Sequence, residues 1–184
     1  MSEERQTRGA RFENVDDDYD PPFAEEVNQG RYEIALGRFV VSYNRIEYLV
    51  GTILQHALSV LNRPDLMKAY ERRGSLWFKL EILDAIHSTG KMPALQYIPF
   101  KALRAAIPKR NLLVHSHYDG NPFDDTYVLV PQERQRRADY LSPEEVEALA
   151  RELDASYDKA RSSEAMLAFA AHDAAEARAK AVAT

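Results

Sequence analysis

Apolar residues in this chain recur at three- and four-residue steps over long stretches, the spacing that puts them on one face of an α-helix. The first such stretch runs from about Glu25 to Leu61. Phe39, Tyr43, Ile46, Val50, Leu54, Ala57, Leu58 and Leu61 form a wide stripe there, and Asn62-Arg63-Pro64 stops it. A second helix is predicted from Ser75 to Ser88, with Trp77, Leu80, Leu83, Ala85 and Ile86 inward and Thr89-Gly90-Lys91 closing it. A third helical region covers Leu95 to His117, packing through Ile98, Leu103, Ile107, Leu112 and Leu113. Pro108 lies within it, and either kinks a continuous helix or opens a short one. Tyr118-Asp119-Gly120-Asn121-Pro122 ends the region.

The period then changes. Thr126-Tyr127-Val128-Leu129-Val130 is β-prone and pairs best with residues near Ala138 to Leu141, as a small hairpin. Ser142-Pro143-Glu144-Glu145 starts the last long helix: serine at the N-cap, proline in the first turn, and Glu145 placed to complete a capping box. The predicted fold class is all-α, a bundle of four to five helices with a β-hairpin before the last. Residues 1–24 read as a disordered acidic arm, 25–174 as the folded domain, and 175–184 as a fraying alanine-rich tail.

Composition narrows the function. The 184 residues contain no cysteine, which excludes disulfides, thiolate metal sites and a cysteine nucleophile. The N-terminus has no apolar run of a signal peptide and no stretch is long enough to span a membrane, so a cytoplasmic location is expected. The net charge of −5 is unevenly placed. Residues 1–26 carry nine acidic side chains and three arginines, leaving the other residues almost neutral. A local positive patch is therefore compatible with the acidic average.

The chemically distinctive run is Arg110-Asn111-Leu112-Leu113-Val114-His115, at the end of the third helical region. Asn111 and His115 are four apart and share a helix face, and Arg110, about 100° round, is long enough to reach the same point. An arginine fork matches phosphate oxygens, and an imidazole transfers protons near neutral pH. Cleaving RNA without a metal needs both: a group to take the 2′-OH proton and donors for a pentacovalent phosphorane. The plainer alternative is a polar helix end whose Arg110 and His115 cap its own carbonyls. His117 is a second candidate histidine, seven residues from Arg110 and so on nearly the same helix face.

Arg110-Asn111-xxx-His115, preceded by two helices and followed by a turn and a last helix, resembles the HEPN superfamily (higher eukaryotes and prokaryotes nucleotide-binding) across roughly residues 28–170. The resemblance implies a metal-independent endoribonuclease with no cofactor. It also implies a homodimer whose two motifs meet, and a toxin or defence role with an RNA substrate and an antitoxin or regulatory partner. A non-catalytic HEPN-like dimer binding a protein or RNA is the alternative. Arg110, Asn111 and His115 would be catalytic. Glu47, at the edge of the first stripe, would orient Arg110 or His115, or else form an ion pair with Arg45 or Arg110. Asn44 lies beside it, and Gly51, one turn on, would let another helix approach closely. Arg104 and Lys109, with His117 and Asn44, are the candidate substrate-binding residues. Lys101, Arg134, Arg136 and Arg137 would extend a phosphate-binding rim if they converge. Trp77, Phe78, Tyr43 and Tyr48 read as core or dimer packing. No metal site is expected, because His56, His87 and His172 show no ligand spacing with carboxylates.

Overall fold

The computed structural model describes residues 24–71, 74–120, 127–131 and 139–183. The predicted arm therefore lies almost wholly outside the described residues, as do Arg134, Arg136 and Arg137. The fold is all-α. Helices α1 (Ala24–Val60), α2 (Pro64–Glu71), α3 (Leu76–Ser88), α4 (Phe100–His115) and α5 (Pro143–Val182) are joined by a 3-10 turn at Pro93–Tyr97 and a small sheet.

α1 and α5 are the two long elements, 37 and 40 residues, each about 55–60 Å at the α-helical rise. They run parallel. Arg31 pairs with Glu144, Arg38 with Glu147, Arg45 with Asp154 and His56 with Glu164, so position advances along both helices together. A parallel pair needs a long crossover, which α2 to β3 supply. Small residues on α5 let the axes approach: Ala150, Ser156, Ala160, Ser163 and Ala171 are all buried. Arg178 reaches back to donate to the Ser59 carbonyl (3.1 Å) in the last turn of α1, a carbonyl that also accepts from the Asn62 N–H (3.0 Å).

α3, α4 and the 3-10 turn cover one side of this pair. The core there comprises Phe39, Ile46, Val50, Ile53 and Leu58 of α1, Leu76, Leu80 and Leu83 of α3, Leu95 of the turn, and Leu103 and Leu113 of α4. Each aliphatic side chain so buried contributes about 1.5–3 kcal/mol. A buried polar bond crosses this core: Ser163 Oγ donates to the Ala94 carbonyl at 2.7 Å, fixing α5 against the turn.

Several boundaries depart from the periodic reading. Asn62, at φ 54°, turns the chain after α1, and α2 then begins at Pro64, where a stop without a new helix was expected. Leu61 is exposed and leaves the α1 stripe. In α3 the inward positions are Leu76, Leu80 and Leu83, while Trp77 is 53% exposed and Ala85 faces solvent. Gly90, at φ 69°, ends that helix as its type allows. α4 starts later than predicted because Pro93 opens a separate 3-10 turn; it then runs unbroken through Pro108.

α4 ends at His115, and the next residues pair as a strand. β1 (Ser116–Gly120), β2 (Tyr127–Pro131) and β3 (Asp139–Leu141) form an antiparallel sheet in that order. The expected hairpin is β2–β3, with Tyr127 opposite Leu141; β1 adds a third strand, with His117 opposite Val130. Ser142 caps α5 as expected: its hydroxyl accepts from the Glu145 N–H (3.2 Å), and the Glu145 carboxylate accepts from the Ser142 N–H (2.7 Å). The alanine-rich end does not fray at Ala175 but continues α5 to Val182.

Candidate functional site

α4 buries Leu103 and Leu113 and turns its other face outward, so Asn111 and His115 are exposed and Arg110 is half-buried. Arg110 organises this face. Its Nη1 lies 3.4 Å from Asn111 Oδ1 and 3.4 Å from His115 Nε2. A guanidinium only donates, so at that contact the imidazole offers its Nε2 lone pair and the ring proton belongs on Nδ1. The three expected catalytic groups of the motif are thus drawn together on one helix end.

The support beneath Arg110 was not foreseen. Its guanidinium rests over the Tyr43 ring, 5.8 Å from the centroid. Tyr43 is buried on α1 and packs against Phe39 with the rings tilted, their centroids 6.3 Å apart at 40°. Its phenol pKa is pushed up to about 12, first by burial and next by the Glu47 carboxylate, with Arg110 opposing. A cation and a carboxylate therefore act on one buried ring. Periodicity marked Tyr43 only as core; the signal available was a hydroxyl-bearing ring in an otherwise apolar stripe, one turn before Glu47.

Glu47 takes a different partner from either arginine proposed for it. Its carboxylate lies 3.8 Å from Lys79 Nζ of α3, and the same ammonium donates to the Glu47 carbonyl at 3.4 Å. Arg45 is engaged with Asp154 at 3.5 Å and lies over Tyr157, 4.5 Å from its centroid. Glu47 consequently reaches Arg110 only through Tyr43. At Gly51 a Cβ would stand 3.5 Å from Lys79 Nζ, an ordinary van der Waals distance to the end of a flexible side chain, so the approach of α3 does not require a glycine there.

Arg104 is withdrawn from the expected rim. It binds Glu81 and Asp84 of α3, each at 2.7 Å, and these carboxylates push its pKa further up. Lys109 is exposed but turned toward α5, where it borders a small hollow with Phe39, Leu149 and Glu152. Lys101 and Asn44 are exposed. His117 cannot share the motif's helix face, because the helix has ended and the residue belongs to β1; its side chain lies outside the described residues. Tyr48 is 79% exposed, so of the aromatic residues read as packing, it and Trp77 are not core in the protomer.

The remaining histidines have separate neighbours. His56 faces Glu164 at 3.8 Å, His172 faces Glu176 at 3.6 Å, and His87 stacks on Phe100 with centroids 5.8 Å apart. Among the described residues, no three His, Asp or Glu side chains converge as metal ligands, and no helix is long and apolar enough to cross a membrane. Comparison of the chain with protein-family models, with curated proteins and with solved structures found no significant match.

Proposed function

We propose that this protein is a metal-independent endoribonuclease of the HEPN type, acting as a homodimer on cytoplasmic RNA, as a toxin or defence effector. One observation carries the reading: Arg110 sits on a buried tyrosine with its Nη1 3.4 Å from both His115 Nε2 and Asn111 Oδ1. An arginine so placed keeps further N–H groups with which a phosphate could bind in the plane of the fork.

In this mechanism the scissile phosphate displaces the weak contact between Arg110 and His115 and takes the guanidinium's donors. His115, freed at Nε2, accepts the 2′-OH proton as the oxygen attacks phosphorus. Arg110 holds the charge that develops on the phosphorane oxygens, the larger part of the rate gain. Asn111 steadies the pair. The leaving 5′-oxygen then needs a proton, and among the described side chains one protomer has one exposed imidazole at this site. A second His115 from another copy supplies the acid, which is why the reading includes a dimer.

The test is cleavage of a short single-stranded RNA by purified protein in EDTA. Wild type is expected to cleave and His115→Ala to lose activity with its thermal unfolding unchanged; full cleavage by the variant overturns the assignment. The engagement of Arg104 with Glu81 and Asp84 favours a second reading, since it removes a cation from the RNA-binding face. In that reading the dimer binds a partner protein or RNA without cutting. RNA retention with no cleavage by the wild type selects it.

A further inference from the structure

Gly51 lowers the stability of α1, since a glycine inside a helix loses more backbone entropy on folding than alanine would, and the packing of α3 does not call for it. Within 4 Å a Cβ there would meet only the end of the Lys79 side chain, its Nζ at 3.5 Å. The same glycine borders a groove of about 270 Å³ between α1, α2 and α3. Around the groove stand Tyr48, Thr52 and Gln55 of α1, Met67 of α2 and Lys79 of α3. Tyr48 is 79% exposed, so its ring contributes little to the core of the protomer and stands open at the lip.

The polar groups of the groove keep capacity for a ligand. A lysine ammonium has three donors. At Lys79 one meets the Glu47 carbonyl at 3.4 Å and another faces the Glu47 carboxylate at 3.8 Å, which leaves the third for the groove. Thr52 gives its hydroxyl proton to the Tyr48 carbonyl (3.3 Å) and keeps its lone pairs. Gln55 is exposed, and its amide both donates and accepts. An open aromatic face beside an ammonium and an amide suits one class of ligand well. An unpaired nucleobase stacks on such a ring and hydrogen-bonds through its edge.

The groove also continues from the motif. Glu47, which holds Lys79, lies one turn beyond Tyr43, the ring beneath Arg110. From Tyr43 to Gly51 the helix advances about 12 Å. A stacked strand covers that length in roughly three to four nucleotides at about 3.4 Å each, and a splayed strand in fewer.

We propose that this groove takes an unpaired base of a single-stranded RNA whose phosphate, a few nucleotides along, lies on Arg110. Tyr48 is the stacking platform, Gly51 keeps the space above the Lys79 ammonium open, and Lys79 and Gln55 bond to the edge of the base. A duplex cannot use the groove, because its bases are already stacked and paired. The inference rests on the reading of the motif face as an RNA site but not on cleavage, since a dimer that binds RNA without cutting has the same groove.

The test is fluorescence anisotropy of the full-length protein with a labelled 2′-O-methyl single strand of mixed sequence. That strand has no 2′-OH to activate, so it reports binding alone. Tyr48→Ala is expected to weaken binding about tenfold, within the range that base stacking supplies. Gly51→Leu should weaken it similarly without lowering the thermal midpoint, because leucine is the better helix former. An abasic strand of the same length should bind wild type and Tyr48→Ala equally, which separates a stacking partner from a residue that only shapes the helix. Phe169→Ala, another exposed ring, on α5, should change nothing. Equal binding of the base-bearing strand by wild type, Tyr48→Ala and Gly51→Leu overturns the proposal, even if the protein cleaves RNA. So does a Tyr48→Ala loss that persists on the abasic strand, a duplex bound as tightly as the single strand, or no binding of the single strand. Base-dependent binding without cleavage of ordinary RNA in EDTA removes the nuclease reading and upholds the groove.

Discussion

Arg110→Lys separates the two roles given to Arg110, because it keeps the charge and removes the planar fork. In the folded protein the guanidinium lies 5.8 Å from the centroid of a buried ring, at a half-buried position. Cation–π contacts of this kind contribute about 0.5–2 kcal/mol, and a lysine ammonium can recover part of that. The contacts to Asn111 and His115, at 3.4 Å, are long for hydrogen bonds and add little. The stability loss should therefore be about 1 kcal/mol. Removing a preorganised donor to a developing oxyanion costs about 10²–10³-fold in rate, or about 3–4 kcal/mol. Urea unfolding followed by circular dichroism measures the first. Single-turnover cleavage at saturating enzyme measures the second without a contribution from binding. The variant should unfold at slightly lower urea yet cleave about 100-fold more slowly or worse. Adding His115→Ala to it should slow cleavage no further than His115→Ala alone, since the pair works as a unit. Cleavage within threefold of wild type refutes the fork; a stability loss above about 3 kcal/mol makes Arg110 a structural residue and not a substrate-binding one.

Ser142→Ala removes one half of the capping box on α5 and should cost about 1 kcal/mol, seen as a lower urea midpoint at unchanged slope. Tyr43, with its pKa pushed up to about 12, should ionise well above the usual phenol range when absorbance at 295 nm is followed against pH. The sign follows from linkage: the folded state holds this proton more tightly than the unfolded chain, whose phenols titrate near 10. The contribution is complete below pH 10 and is lost as pH rises through 12, up to about 2–3 kcal/mol. Tyr43→Phe should flatten that decline, and an unchanged pH curve would show that the buried phenol is not its cause.

Helices with one apolar face are legible in sequence because the 3.6-residue period is local, and so were α1, α3, α4 and the capped start of α5. The motif was legible for the same reason, since Arg110, Asn111 and His115 lie within two turns of one helix and meet whatever else the chain does. Tertiary packing decided the rest. Tyr43 is 67 residues from Arg110, and nothing in its own stretch distinguishes a core tyrosine from a platform for a cation. Glu47 chose Lys79, and Arg104 chose Glu81 and Asp84, because α3 lies where it does; charge alone offered several partners to each. His117 left the helix face because β2 supplied hydrogen-bond partners for an extended chain, a competition between distant segments that periodicity cannot weigh. By itself the sequence determined an all-α chain with Arg110, Asn111 and His115 gathered at one helix end. Only the tertiary structure decided which charges stay available there and which ring they rest on, since ion pairs and stacking depend on distances across elements and not on spacing along them.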